Sequence, residues 1–187
     1  VADLVKLARD KPGGLSFASV GPGTIHHLNG ELFKQTFGLD VVHVPYKGTA
    51  PALQDVAGGH VQFMFADVPP AKALVLGGKV RALGVTTLER VQALPDLPPL
   101  SEVGIPGYNT ASWHSISTAA GVPKDIVDKL AGEIREVMKE PDVQQLLLED
   151  GAVPQVSPPP EEFKRFVDSE ITRWGELVEK AGILHSQ

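Results

Sequence analysis

Cysteine is absent from the 187 residues, which excludes disulfides and any zinc, haem or redox site built on thiolates. Its absence is compatible with an exported bacterial protein. No block of lysine and arginine offsets the net charge of −6, which argues against nonspecific binding to DNA, RNA or anionic membranes, so no nucleic-acid partner is expected. No apolar run reaches the roughly 18 residues that a membrane span needs. No G-x-S-x-G elbow and no Walker loop occur, and the carboxylates are scattered over helix surfaces rather than paired in loops. No catalytic residue and no enzymatic activity are therefore expected. A signal peptide is missing too. VADLVKLARDKPG reads as an amphipathic helix with Val1, Leu4, Val5 and Ala8 on one side, so the chain reads as starting inside a structural element, with any targeting segment outside it.

What is present is ordinary for a soluble globular protein: 42% hydrophobic and 21% charged residues, enough for one large domain or two small ones. Short apolar runs at 15–19, 41–45, 61–66 and 80–86 alternate with helical patterns at 26–37, 51–57 and about 69–77, with glycines marking the helix ends. That alternation predicts βαβ units, a mainly parallel sheet and ligand sites beyond the carboxyl ends of the strands. Residues 87–110 are rich in proline and glycine and read as an extended connection. Beyond it come one expected strand (112–119) and three expected helices (123–139, 141–148 and about 160–181). Ile126, Val127, Leu130, Ile134, Val137 and Met138 are the expected buried stripe of the first of these helices, and Phe163, Phe166, Val167, Ile171, Trp174, Leu177 and Val178 share one face of the last. The second half thus has several apolar helix faces for a single strand.

Two strand-to-helix junctions carry chemistry. In LSFASVGPGTIHHLNGELF, a strand passes through Gly21-Pro22-Gly23-Thr24 into a helix, whose first turn presents unpaired N–H groups and a partial positive charge. The third glycine of a dinucleotide fingerprint is missing and no acidic residue ends the next strand, which counts against NAD. The junction fits both a structural turn and an anion nest. Ser19 and Thr24 add hydroxyl donors that a purely structural turn does not require. HVPYKGTAPALQDV repeats the arrangement, with the Gly48, Thr49 and Ala50 amides available to an anion and Tyr46 beside them. Asp67 ends the third strand and is either a helix cap or an acceptor for a ligand hydroxyl or ammonium. His26 and His27 point about 100° apart on a helix and cannot easily chelate one ion, so no metal site is expected; one should face the cleft and the other pack.

The series A-S-x-G-x-G-T-x-x-H-L-x-G-E-L-F (Ala18–Phe33) resembles the substrate-binding proteins of tripartite tricarboxylate transporters, the Bug receptor family. The same holds for V-H-V-P-Y-K-G-T-A-P-A-L (Val42–Leu53), G-x-V-x-F-M-F (Gly59–Phe65), G-K-V-R-A-L-G-V-T (Gly78–Thr86) and L-P-D-L-P-x-L-S-E-V-G-I-P-G-Y (Leu94–Tyr108). The order continues through Ser112-Trp113 and Gly121–Pro123 to Ala181-Gly182-Ile183.

The resemblance implies an α/β, type II periplasmic-binding-protein-like fold: one complete α/β domain at 1–108, which is the middle domain of such a receptor, and the C-terminal part of its first domain at 109–187. It implies a periplasmic receptor that captures a small carboxylate solute in an interdomain cleft for membrane transporter subunits, without a cofactor. Ser19, Gly21, Gly23, Thr24 and His27 match the family's first ligand loop, and Tyr46, Gly48, Thr49 and Ala50 the second. Val20, Ile25 and the Ala66-Asp67 pair depart from the family pattern, which bears on which solute is bound. Two other readings stand beside this one. The first is an α/β enzyme acting on an acidic metabolite, with His27 or His114 as base. The second is a non-binding fragment whose exposed helix faces drive self-association.

Overall fold

Phe17 and Ala18 are neighbours in the chain and both are wholly buried, yet they belong to two separate apolar clusters. That is possible because successive side chains of a strand point to opposite faces, so one short strand anchors two layers of helix. In this computed structural model, which describes residues 1–183, the strand is β1 (Ser16–Ser19). It lies between β2 (Val42–Pro45) and β3 (Phe63–Met64) in a parallel sheet of order β2-β1-β3, with Ser19 opposite Pro45 and Phe17 opposite Phe63. Parallel strands need crossovers, and each crossover here is a helix. α2 (Ile25–Phe37) joins β1 to β2, and α3 (Thr49–Gly58) joins β2 back across β1 to β3.

On the Phe17 face, α2 and the first helix α1 (Ala2–Asp10) contribute Phe33, Val5 and Ala8 around Phe63. On the Ala18 face, α3 contributes Ala52, with Val56 partly buried beside it. Burying a side chain the size of Phe17 is worth about 2–3 kcal/mol. Gly30 lets α2 come this close: a Cβ there would stand 2.0 Å from the Phe17 ring. The helical pattern expected at 26–37 is present, with Leu28 and Phe33 buried and Leu32 and Phe37 partly so.

After β3 the chain enters α4 (Val68–Leu76), whose Val68 and Val75 pack on a small cluster of Val85, Val91 and Leu94. The strand expected at 80–86 is not formed. Val85 makes a single bridge to Pro99, through Val85 N–H to Pro98 O at 2.9 Å and Leu100 N–H to Val85 O at 2.8 Å. Pro98 and Pro99 have no N–H to extend the ladder. The strand expected at 61–66 shortens to Phe63–Met64.

The strand expected at 112–119 is also not formed. The segment is exposed, and among the described residues it has no ladder partner; a strand exists only where a neighbour accepts its hydrogen bonds. Three helices follow: α5 (Lys124–Val137), α6 (Pro141–Glu149) and α7 (Pro160–Ala181). The stripe expected to be buried on α5 is largely in water, with Ile126, Leu130 and Val137 all exposed. α7 touches α2 and buries Leu177. Trp113 packs edge-on against Phe163 and Phe166 and donates from Nε1 to Glu170 at 3.2 Å. Residues 184–187 of the expected second segment lie outside the described residues.

Candidate ligand-binding site

In a parallel sheet of order β2-β1-β3, the helix after β1 and the helix after β2 cover opposite faces. A crevice therefore opens beyond the carboxyl ends of β1 and β3, where the chain direction switches. The structure has a cleft of about 60 Å³ there, lined by Ile25, His26 and Asn29 of α2, Phe65 to Asp67 after β3, and Thr86, Thr110 and Ser112. The N-termini of α2, α3 and α4 all emerge at this edge of the sheet, since each follows a parallel strand.

The first loop is held from within. Gly21 (φ 123°) and Gly23 (φ 73°) occupy backbone conformations that favour glycine. The Thr24 hydroxyl donates to Gly21 O at 2.7 Å and caps α2 by accepting from His27 N–H at 3.5 Å. Ser19 is fully buried; its Oγ accepts from Gly21 N–H at 3.1 Å and lies 2.6 Å from His43 Nε2. Gly23 N–H donates to His27 Nδ1 at 3.1 Å, and the His27 ring stacks on His43 with centroids 3.8 Å apart. Burial lowers the pKa of both rings. That of His43, further depressed by neighbouring His27 and Lys34, falls to about 4. Ser19 and His27 are thus the underside of the loop, while Gly21, Gly23 and Thr24 are its outer turn.

The second loop begins one hydrogen bond away, with Tyr46 N–H donating to Ser19 O at 2.8 Å. The Tyr46 hydroxyl donates to Asp55 Oδ2 at 2.7 Å, a bond that, with burial, pushes its pKa up to about 12. Gly48 is the N-cap of α3 and no side chain caps that helix, so Gly48, Thr49 and Ala50 present their amides at its start. Pro51 follows, whose missing N–H is no loss in the first turn.

Of the histidine pair, His26 lines the cleft and His27 packs beneath it. His26 Nε2 lies 3.2 Å from Asp67 Oδ2. Asp67 holds the N-cap position of α4 but makes no side-chain cap bond; its carboxylate turns to His26, and that hydrogen bond lowers its pKa. Asn29 closes the floor, its Oδ1 accepting from Tyr108 OH at 3.0 Å and from the buried Thr110 hydroxyl. Sequence reasoning did not assign Asn29, Thr86, Thr110 or Ser112 to the ligand site, although Thr86 and Ser112 fall within the family motifs. The one available signal was a polar Asn29 one helical turn beyond His26. Thr86, Thr110 and Ser112 reach the cleft through irregular chain that carries no periodicity. His114 is exposed, outside the cleft-lining set. Among the described residues no group of three or more His, Cys, Asp or Glu could hold a metal ion.

Residues 1–183 match the family described as tripartite tricarboxylate transporter family receptor. The chain belongs to that family. It is a family of receptors rather than enzymes. A relative in a Pseudomonas species, the UPF0065 protein of the tcbD–tcbE intergenic region, is 36% identical over 179 residues, 95% of this chain and 53% of the relative. Among solved structures, an R. palustris protein with adipate superposes with a TM-score of 0.88 at 38% identity, over 98% of this chain and 61% of that one. The periplasmic binding protein BugD gives 0.84 at 33% identity, over 98% of this chain and 62% of BugD. MatC of Rhodopseudomonas palustris, with bound malate, gives 0.79 at 28%, over 95% and 61%. The chain therefore spans about half of the curated relative and three fifths of the solved receptors. Its α/β fold is one domain of such a receptor with part of another.

Proposed function

We propose that this chain supplies one wall of a cleft in which a periplasmic receptor captures a small carboxylate solute and hands it to the membrane subunits of a tripartite transporter. The observation that carries this reading is the convergence of two helix starts, at Gly21–Thr24 and at Gly48–Ala50, on one edge of a parallel sheet, beside a small polar cleft. Amides and hydroxyls at helix N-termini stabilise an anion without a buried ion pair, which suits a receptor that must release its cargo. Adipate in one family structure and malate in another support a carboxylate as the solute class. In this reading residues 1–108 form the domain that presents Asp67, which lines the cleft, and the Gly48, Thr49 and Ala50 amides to the solute, while Ser19, Gly21, Gly23, Thr24, His27 and Tyr46, bonded among themselves and to their neighbours, hold the loops in shape. Residues 109–187 belong to the opposing domain. Closure of the two domains over the solute creates the surface that the transporter recognises.

The test is isothermal titration with a panel of di- and tricarboxylates and acidic amino acids. Micromolar binding to the wild-type chain, weakened about tenfold or more in Thr24→Ala with Thr49→Ala, is the expected result. A panel in which nothing binds, or a double variant that binds as well as wild type, removes this assignment.

A second reading concerns the chain by itself. Leu146 on α6 and Ile171 on α7 are more than half exposed, as are Ile116 and Val153 in the connecting chain, so we infer that apolar surfaces of residues 111–183 drive association between copies. Light scattering that shows a clean monomer at high concentration rules this out.

A further inference from the structure

α7 rests on α2 with Leu177 as its buried residue, and a groove of about 190 Å³ opens beside that contact. Leu32 and Gln35 of α2 form one wall. They lie at i+3 and i+6 from Asn29, so α2 gives its first turns to the solute cleft and its later turns to this groove. α7 forms the other wall. A helix turns about 100° per residue, so Arg173, Leu177 and Lys180 share the centre of that face, with Trp174 on one margin and Glu176 on the other. Leu32, Leu177 and the Trp174 ring make the body of the groove apolar. Its charges are unequally engaged. Arg173 lies over the Trp174 ring at 5.1 Å, pairs with Glu170 at 3.4 Å and donates to Asn109 O. The side chains of Lys180 and Gln35 are exposed and have no hydrogen-bond or ion-pair partner among the described residues. Glu176, one turn before Lys180, makes no pair with it.

We propose that this groove is a second ligand site, separate from the solute cleft, for a small monocarboxylate with an apolar body. The carboxylate meets the Lys180 ammonium and the Gln35 amide, and the body lies on Leu32, Leu177 and the Trp174 ring. Charge fixes the class. One uncommitted cation matches one carboxylate, and a second carboxylate would face Glu176. Size agrees: an apolar cavity of about 150 Å³ accepts a benzene ring, so this groove has room for a ring with its carboxylate. Such a ligand touches both helices at once. Its binding therefore holds α7 against α2, at the contact where residues 111–183 have their one buried hydrophobic side chain among those described.

The experiment uses the chain with Trp113→Phe, in which Trp174 is the one tryptophan left and its emission reports the groove. It is titrated with benzoate and hexanoate, with the neutral benzamide and hexanamide, and with adipate, the dicarboxylate of hexanoate's length. The expected result is a saturable change with both monocarboxylates at dissociation constants of about a millimolar or below. The amides and adipate bind at least about fivefold more weakly. Lys180→Gln brings the monocarboxylates down to the level of the amides, and Glu176→Gln brings adipate up toward hexanoate. With benzoate at about ten times its dissociation constant, hydrogen exchange of the α7 amides around Leu177 slows about tenfold. Should Trp113→Phe fail to fold, the Trp174 indole N–H resonance of the unaltered chain carries the same titration. The inference is overturned by a lack of saturation with both monocarboxylates, by amides that bind as tightly as the acids, or by α7 exchange that benzoate leaves unchanged. A Trp174 signal that follows protein concentration and not ligand also overturns it, since a second copy then fills the groove. Each of these outcomes leaves the reading of the solute cleft untouched, because that cleft is tested by its own titration.

Discussion

Residues 1–110 and residues 111–183 have similar helical patterning and opposite fates. In the first region Phe17, Ala18 and Ala52 are fully out of water, and each helix that follows a strand of the sheet lies against a neighbour. In the second, Leu177 is the one buried hydrophobic residue among those described, while Ile116 is 77% exposed and Ile171 67%. The difference is the sheet. An amphipathic helix is stabilised chiefly by what its apolar face touches, and a parallel sheet offers two faces at once. α5 and α6 have apolar stripes without such a surface. The comparison also explains where the candidate site sits. A cleft needs rigid walls, and β1 with its flanking helices supplies them; Thr110 and Ser112 reach it only as the first region gives way to the second.

The largest expected effect tests the first region's core. Phe17→Ala should destabilise the chain by about 3–5 kcal/mol in urea denaturation, because its ring fills the space between α2 and the sheet. A loss under 1 kcal/mol would mean that the sheet is not the organising surface.

Acid is the next lever. Folded His43 takes up its proton only near pH 4, against 6.5 for an unperturbed ring, and His27 shifts in the same direction. The unfolded chain thus binds more protons between those values, so stability is complete above about pH 6.5 and falls as pH drops toward 4. The loss from His43 is on the order of 2–3 kcal/mol. Denaturation at pH 7, 5.5 and 4.5 should show the decline, and His43→Asn should flatten it. A pH-independent wild type would contradict the stacked neutral pair. Because these rings lie beneath the Gly21–Thr24 loop, carboxylate affinity should decline over the same range.

Thr24→Ala should cost about 1 kcal/mol through the lost cap of α2. Thr49→Ala, at the start of a helix with no side-chain cap, should cost less than half as much. Equal costs would erase the distinction drawn between the two loops. The smallest effects belong to the second region: at concentrations dilute enough to keep copies apart, Leu146→Ala and Ile171→Ala should each stay within about 0.5 kcal/mol. Losses of 2 kcal/mol or more, together with a concentration-dependent transition, would show that these faces are buried between copies in solution.

Much of the first region was legible in sequence because its signals are local. The positions of α2, α3 and α4, the glycines that end them (Gly38 caps α2 in the left-handed conformation) and the two strand-to-helix junctions follow from periodicity and punctuation within a dozen residues. What failed was non-local. The runs at 80–86 and 112–119 have strand-like composition, but a strand is a relation to a partner, and Pro98-Pro99 withholds donors from one while no ladder meets the other. The site shows the same division. Of the residues picked out from the chain, Asp67 lines the cleft and Gly21, Gly23 and Thr24 form the loop at the start of α2, whereas the orientation of His26 and His27 was not legible.

By itself, the sequence determined the chemistry and its limits: no thiolate, no cationic patch, no nucleotide fingerprint, two helix starts suited to an anion, and motifs of one receptor family. It also determined that β1 must carry small or apolar residues on both faces. Tertiary structure alone decided which of two adjacent histidines meets the cleft, that Asp67 turns from its helix to His26, and that Ser19 supports the loop from below. Those outcomes depend on the order β2-β1-β3, which places the end of β3 beside the start of α2. That adjacency brings together Asp67 and His26, 41 residues apart in the chain, and no local pattern encodes it.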